Sequence, residues 1–176
     1  MPEEKIVSKT KVRLEKTDIT DLPVDAFVYY ARENLELGSG FGTAIAVRGG
    51  PSIQEELKKI GSANPTEAVI TSAGEMKAKY IVYAVGPKFQ EEDMEAKLAA
   101  TIRNALIEAE KKGISSIALP AMGAGFFGVP LEISAKVTVN SVKEYLQNKT
   151  NLKEVVLCML DSKQYKAFQK QLAKVS

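Results

Sequence analysis

The chain begins with two short segments in which apolar and polar residues alternate, and a continuous apolar run follows them. Alternation over residues 11–15 places Val12 and Leu14 on one face of a predicted strand and charged side chains on the other. The run 26–30 has no polar face, which is typical of a strand buried on both sides in a parallel sheet. The same criteria predict strands over residues 5–8, 11–15, 25–31, 67–72, 79–85, 116–119 and 154–160.

Segments with helical spacing alternate with these strands. The clearest spans 91–112, where apolar residues recur at helical spacing from Met94 to Ala109 and Gly113 is placed to end the helix. Further helices are predicted to begin near Thr43, Pro51, Pro130 and Ser162. This alternation predicts a single α/β domain over residues 1–176, a three-layer α/β/α sandwich with a mixed, mostly parallel central sheet. We expect the first two strands to add an antiparallel edge.

The absence of histidine limits the chemistry more than any other feature of the composition. The chain has no histidine and one cysteine. It therefore lacks the residues for a Ser-His-Asp or Cys-His nucleophile, a histidine-bound metal, an internal disulfide or a cysteine-rich zinc cluster. Cys158 lies in an apolar run and is expected to be a buried structural thiol. No metal and no cofactor is implied, and a net charge of +2 gives no general attraction to nucleic acid.

The chain shows no sign of membrane targeting. Its first residues, Met-Pro-Glu-Glu-Lys, are not followed by a long apolar run, so no secretory signal is predicted. No apolar stretch approaches the ~20 residues that a membrane-spanning helix needs. We therefore expect a cytoplasmic protein with no membrane partner.

Two glycine-rich loops follow predicted strands, where ligands bind in α/β folds of this kind. One is the sequence Gly-Ser-Gly-Phe-Gly at 38–42, and the other runs over 120–128. Glycines let backbone N–H groups approach an anion closely, and a helix after the first loop adds partial positive charge. Alternatively, the glycines only turn the chain, because neither loop matches a Walker A motif or the full dinucleotide fingerprint. Two such loops at strand ends favour a clamped pyrophosphate.

Several ordered segments together resemble the macro domain family, and the resemblance covers nearly the whole chain. The most specific segment is the loop 120–128, which is close to the family's Pro-Ala-x-x-x-Gly-x-x-Gly pattern. The other segments are Thr17-Asp18-Ile19-Thr20, Val24-Asp25-Ala26-Phe27-Val28, Leu35 with Gly38-Ser39-Gly40, and Tyr83-Ala84-Val85-Gly86-Pro87. The resemblance implies a site for ADP-ribose or a related nucleotide, with ADP-ribosylated protein as a further partner.

The resemblance also implies roles for individual residues. Asp18 matches the acidic residue that accepts a hydrogen bond from the adenine amino group, with the Ile19 backbone beside it. Leu160 falls where a side chain often lies against the adenine ring. The two loops would hold the phosphates and the terminal ribose through Gly38, Ser39, Gly40, Phe41, Ala121, Gly123, Ala124, Gly125, Phe126 and Phe127. From the residues alone, Asp18 could instead cap the turn that follows it, and Leu160 could belong to the core.

The chain departs from the family where a strand usually continues into Asn-Ala-Ala-Asn. Tyr29-Tyr30-Ala31-Arg32 stands there, and Arg32 replaces the asparagine that commonly contacts the terminal ribose and supports catalysis in de-ADP-ribosylating members. The aspartate that some hydrolytic members carry after the glycine loop is also missing, because residues 41–43 are Phe, Gly and Thr. Arg32 is either a solvated strand-end charge or a cation in the ribose end of the pocket that favours a phosphate or carboxylate. Tyr29 and Tyr30 are interpreted as core and wall.

These departures leave three hypotheses for function. The first is a binding module for ADP-ribose, free or attached to protein, with little or no hydrolytic activity. The second is a hydrolase that removes ADP-ribose from protein, or phosphate from ADP-ribose 1''-phosphate, by substrate-assisted activation of water, because the usual catalytic side chains are not matched. The third is an RNA or poly(A) binder, against which the near-neutral charge argues.

Overall fold

The computed structural model describes residues 4–125 and 127–175, which form a seven-stranded sheet flanked by helices. The strands are Glu4–Val7 (β1), Thr10–Lys16 (β2), Ala26–Ala31 (β3), Ala68–Ser72 (β4), Tyr80–Val85 (β5), Ser116–Leu119 (β6) and Glu154–Met159 (β7). They lie in the order β1-β2-β7-β6-β3-β5-β4. The predicted α/β sandwich with a mixed, mostly parallel sheet is confirmed.

The five central strands, from β2 to β5, run parallel, and β1 and β4 are antiparallel edges. The first two strands form the predicted antiparallel pair at one edge, and β2 also joins the parallel part of the sheet through its pairing with β7. Only β1 reverses, across a turn that contains Ser8 with a φ of 56°. The antiparallel edge at β4 was not predicted, although the short connection from β4 to β5 cannot hold the crossover that parallel neighbours need.

The helices form one layer on each face of the sheet. They are Ser39–Gly49 (α1), Pro51–Ile60 (α2), Met94–Lys111 (α3), Leu131–Leu146 (α4) and Ser162–Leu172 (α5). Alternation along β3 separates the layers, because Phe27 and Tyr29 pack on the side of α1 and α2 while Val28 and Tyr30 pack on the side of α3, α4 and α5. None of the helices in the described ranges has the length and apolar sequence that would carry it through a bilayer.

Two helix starts differ from the sequence prediction. α1 begins at Ser39 rather than near Thr43, so the glycine-rich segment is the first helical turn and not a separate loop. α3 begins at Met94 rather than at residue 91, because Asp93 has a left-handed backbone with a φ of 55° and interrupts the turn before it. The first difference bears directly on the candidate site.

The single cysteine is buried, as the sequence predicts. The Cys158 thiol donates a hydrogen bond of 3.3 Å to the Thr17 carbonyl, between the ends of β7 and β2. Burial raises the pKa of this thiol to about 12, and this effect outweighs the opposing effect of its hydrogen bond to the Thr17 backbone. The thiolate form is therefore disfavoured at neutral pH, and Cys158 is a structural residue.

Candidate functional site

A cleft opens where β3 and β5 end, at the carboxyl edge of the parallel strands. Its volume is about 590 Å³, and the last residues of the two strands, Ala31 and Val85, form part of its wall. The other lining residues are Arg32, Glu33, Asn34, Pro65, Gly86, Lys88, Glu91 and Phe127. Two of the predicted site residues, Arg32 and Phe127, therefore face the same space.

The first glycine-rich segment is the start of α1. Gly38 precedes the first turn with an extended backbone (φ −91°, ψ 173°), and Ser39 is the first helical residue. The side chain of Ser39 lies outside the described part of the structure. The first N–H groups of a helix have no partner within it, and Gly38 brings no side chain to cap them. Together with the helix dipole, this start is suited to an anion such as a phosphate.

Aromatic side chains support this helix start from the core side. The Tyr29 hydroxyl donates a hydrogen bond of 3.1 Å to the Gly38 carbonyl. The Phe41 ring packs edge-on against Tyr29, with 5.0 Å between ring centroids, and also stacks on Phe27. A Cβ on Gly42 would lie 2.7 Å from the Tyr29 Oη, so the helix approaches as closely as glycine allows. The Phe41 side chain thus belongs to the core, and only its backbone is suited to a ligand.

The second glycine-rich loop joins β6 to α4 and requires glycine at three positions. Gly123, Gly125 and Gly128 have φ values of 77°, 86° and 76°, which residues with a side chain rarely adopt. A backbone hydrogen bond of 3.1 Å from the Val129 N–H to the Gly123 carbonyl closes the loop. Phe126, also predicted to bind ligand, lies outside the described residues. The backbone at these glycines can approach a ligand without obstruction.

The same loop is anchored to the hydrophobic core. Ala121 is buried, and Ala124 is partly buried against the core, so both offer a ligand mainly their backbone. The Ser134 hydroxyl, in the first turn of α4, donates a hydrogen bond of 2.7 Å to the Met122 carbonyl. The loop therefore keeps its shape through contacts that do not need a ligand.

Tyr30 connects the end of β5 to the second loop. Its hydroxyl donates a hydrogen bond to the Pro87 carbonyl, and its ring centroid lies 4.6 Å from that of Phe127. A Cβ on Gly86 would overlap the Tyr30 ring, which explains why glycine stands there. Burial, and then the charge of Glu91, raises the pKa of Tyr30, so the phenol stays protonated and cannot act as a base near neutral pH. Tyr30 is a wall residue.

Arg32 lies across the start of α1. A Cβ built on Gly38 would be 3.0 Å from the Arg32 Nη2 and 3.3 Å from the Nη1. The partly buried guanidinium therefore rests against Gly38 and lines the cleft. This placement favours the interpretation of Arg32 as a cation inside the pocket over that of a solvated strand-end charge. It adds positive potential beside the helix start but offers no acceptor, unlike an asparagine.

Asp18 caps the 3-10 turn Ile19–Asp21 and also forms an ion pair. Its Oδ1 accepts hydrogen bonds from the Thr20 backbone N–H (3.0 Å) and hydroxyl (2.6 Å). Its Oδ2 lies 2.5 Å from the Arg48 Nη1. Partial burial pushes the pKa of Asp18 upward, but the hydrogen bonds from Thr20 and Arg48 outweigh it and hold the pKa below its usual range. The turn-capping role is therefore present, and about half of the side chain (47%) remains exposed.

Leu160 comes directly after β7, beside the end of β2. The pairing of Lys16 with Met159 sets this register, and Ile19 is buried just beyond it. Leu160 is 76% exposed, so the alternative that it belongs to the core is wrong. The exposed Leu160 side chain and the half-exposed Asp18 carboxylate therefore form an apolar and a polar surface where β7 and β2 end.

The five parallel strands each bring one segment to the same edge of the sheet. In spatial order, these segments are Asp18 after β2, Leu160 after β7, the loop 120–128 after β6, Arg32 after β3 and Gly86 after β5. Adjacent strands are about 4.8 Å apart, so the row spans roughly 19 Å. Such a row suits an elongated ligand with distinct groups along its length.

The sequence did not indicate every residue at this edge. Arg48 was missed because its contact with Asp18 crosses 30 residues of chain, and only its charge complementarity offered a signal. Pro65, Lys88 and Glu91 were missed because they follow no motif and reach the cleft from neighbouring connections.

Three comparisons with known proteins agree on the relationship of this chain. The sequence profile of the macro domain family matches residues 29–138. A macro domain-containing protein of Caldanaerobacter subterraneus subsp. tengcongensis is 36% identical over 168 residues, which cover 92% of this chain and 95% of the relative.

Solved macrodomains have the same fold. A variant of the Oceanobacillus iheyensis macrodomain, solved with ADPR, superposes with a TM-score of 0.93 at 23% identity, covering 98% of this chain and 97% of that one. The Trypanosoma brucei macrodomain, solved in complex with ADP-ribose, has a TM-score of 0.85 at 25% identity and covers 92% of this chain and 68% of that one. With more than half of its length matched by the family profile and a relative similar along nearly its whole length, the chain belongs to the macro domain family.

Proposed function

We propose that this protein binds ADP-ribose or a related ADP-ribose derivative, free or attached to protein. The observation that carries the proposal is the row of five segments at one sheet edge, which includes a carboxylate, an apolar surface, the backbone cradle of the loop 120–128 and a cation in sequence. The start of α1 lies beside Arg32 and adds a second backbone anion cradle. The macrodomains of similar fold that were solved with ADPR and with ADP-ribose support it.

The base binds at the end of β2 in this proposal. The Asp18 carboxylate is ionised at neutral pH, as its pKa lies below the usual aspartate value, and an ionised carboxylate only accepts hydrogen bonds. It is therefore matched to the exocyclic amine of adenine. The exposed Leu160 side chain provides an apolar surface on which a base can lie.

The pyrophosphate binds in the middle of the row. The start of α1 lies on one side, and its N–H groups are not capped by a side chain because the N-cap residue is Gly38. The loop containing Gly123 and Gly125 lies on the other side, held in shape by its own hydrogen bonds. Preformed backbone cradles lose little entropy when a ligand binds, which favours affinity.

The terminal ribose reaches the cleft lined by Arg32 and Phe127. The guanidinium beside Gly38 supports binding of a ligand that carries negative charge at or near this ribose. We infer binding rather than turnover, because Tyr30 stays protonated and Arg32 offers no hydrogen-bond acceptor at the position where the family commonly has asparagine. We further propose a cytoplasmic location.

Calorimetric titration tests the proposal. We expect ADP-ribose to bind with micromolar affinity and more tightly than ADP or AMP, because only ADP-ribose occupies all parts of the row. Ribose 5-phosphate serves as the control without a base. Failure of a folded sample to bind ADP-ribose, or equal binding of AMP, would overturn the proposed function.

A further inference from the structure

We propose that Arg48 reads the nucleobase together with Asp18, so that the site accepts 6-oxopurines as well as adenine. This inference rests on the proposed function, because it takes Asp18 as the residue that meets the base. The inference extends the proposed function by one specificity-determining residue, Arg48, and by a second class of ligand, the 6-oxopurine nucleotides. Arg48 lies in the last turn of α1, far along the chain from Asp18.

Arg48 is held beside the carboxylate by two contacts. Its Nη1 lies 2.5 Å from the Asp18 Oδ2 and 2.6 Å from the Thr20 Oγ1. The Thr20 hydroxyl in turn donates to the Asp18 Oδ1. The three side chains form a closed cluster in which Thr20 fixes both charged partners. The guanidinium is therefore positioned at the carboxylate.

The cluster faces solvent at the edge where the base is expected. The side chains of Arg48 and Asp18 are 49% and 47% exposed. An arginine has five N–H donors, and both contacts described here use the same nitrogen, Nη1. A ligand at this edge thus meets a carboxylate oxygen and a guanidinium side by side.

The capping of the turn does not explain Arg48. Asp18 already caps it through Thr20, and an exposed ion pair adds little to stability. What Arg48 changes is the hydrogen-bonding pattern on offer to a ligand, because it places donors next to an acceptor.

Adjacent donors and acceptors fit two kinds of purine edge. Adenine carries the N6 amino donor next to ring-nitrogen acceptors, so Asp18 accepts from N6 while Arg48 donates to the ring nitrogen. A 6-oxopurine carries the O6 acceptor next to the N1–H donor. In that case Arg48 donates to O6, and Asp18 accepts from N1–H. A carboxylate alone would repel O6. Arg48 removes this repulsion and replaces it with a hydrogen bond.

The test compares ADP-ribose with its hypoxanthine counterpart, inosine diphosphate ribose. Both are titrated calorimetrically into the wild type, into Arg48→Met, and into Arg103→Met as a control that removes an exposed arginine from α3 on the opposite helix layer. We expect the wild type to bind the two within about tenfold of each other. Arg48→Met should weaken the binding of ADP-ribose only severalfold. It should increase the ratio of the two dissociation constants, hypoxanthine form to ADP-ribose, by about a further tenfold, the size of one good base contact. Arg103→Met should leave both unchanged.

The outcomes separate this inference from the proposed function. A wild type that binds ADP-ribose but rejects the hypoxanthine form, or a ratio that Arg48→Met does not move, overturns the role of Arg48 and leaves ADP-ribose binding standing. A wild type that binds neither compound overturns both. Thermal melting of each variant confirms that it is folded before it is titrated.

Discussion

The two ends of the row of strand ends are built in contrasting ways. At the end of β2, Asp18 and Arg48 meet as side chains that are about half exposed. At the ends of β3 and β5, Tyr29 and Tyr30 are buried. Glycines stand where a Cβ would collide with the Tyr29 hydroxyl, at Gly42, and with the Tyr30 ring, at Gly86. One end is a surface arrangement of charges, and the other is an extension of the core.

This contrast separates affinity from stability. Exposed charges can be exchanged at little cost to the fold, so substitutions at the base end should change what the protein binds. Buried aromatic residues cannot be moved without disturbing close packing, so substitutions at the ribose end should change the free energy of unfolding. The predictions below test this separation, beginning with the largest effect.

Gly86→Ala should destabilise the fold by about 1–3 kcal/mol, the usual cost of overpacking a core. The added methyl group would overlap the Tyr30 ring, which is tied to the Pro87 carbonyl and packed on Phe127. Urea unfolding measures the change in the free energy of unfolding.

Gly40→Ala is the matched control for that substitution. It adds the same methyl group within the first turn of α1, where a Cβ would meet nothing within 4 Å. It should be neutral, or stabilising by up to about 1 kcal/mol through helix propensity. Equal destabilisation by both substitutions would contradict the view that the ribose end is core.

Asp18→Ala should weaken ADP-ribose binding by about tenfold, equivalent to about 1.4 kcal/mol, while the protein stays folded. The variant loses the acceptor for the adenine amino group, whereas the turn at Ile19–Asp21 loses only a half-exposed cap. Calorimetric titration measures the affinity, and circular dichroism checks the fold. Unchanged affinity in a folded variant would remove the adenine assignment.

Tyr30→Phe should cost about 1 kcal/mol of stability and change ADP-ribose affinity by less than about threefold, because it leaves the buried Pro87 carbonyl without its donor. Tyr80→Phe is the control, since the Tyr80 hydroxyl has no hydrogen bond among the described residues. Urea unfolding and titration are run on both. A large loss of binding with unchanged stability would instead place the Tyr30 hydroxyl in contact with ligand.

The smallest expected effect is a dependence of stability on pH. The pKa of Asp18 is lowered in the folded state, so its contribution is present above the ordinary aspartate value of about 3.9 and is lost as the pH falls below it. The difference in unfolding free energy between the wild type and Asp18→Asn should be below about 1 kcal/mol at pH 7 and should shrink as the pH falls below about 3.9. A difference that grows on acidification would contradict this sign.

Much of the fold could be predicted because the strands have strong apolar patterns. Both ends of β6 were predicted correctly, and the bounds of β3 were predicted to within one residue. Buried parallel strands are continuous apolar runs, which makes them easy to locate in the sequence. The start of α1 was predicted four residues late. Its glycines indicate a loop by propensity, whereas packing of Phe41 and Gly42 against Tyr29 makes them helical.

The site was predictable only where local sequence determines it. The positive-φ glycines of the second loop follow from the motif itself. The contacts of Asp18 with Arg48 and of Tyr30 with Pro87 join residues 30 and 57 positions apart, and their partners depend on how the strands are ordered in space. The sequence therefore indicated which segments meet but not which side chains touch.

The buried Cys158 thiol offers an independent view of the end of β2. It is the only cysteine in the chain. It lies in β7, and its buried thiol donates a hydrogen bond to the carbonyl of Thr17, the residue before Asp18. A thiol reagent can reach it only when these strand ends separate. The rate of its modification therefore reports how often this edge opens in the native protein. Slower modification in the presence of a nucleotide would show that ligand and strand closure are coupled, without any introduced label.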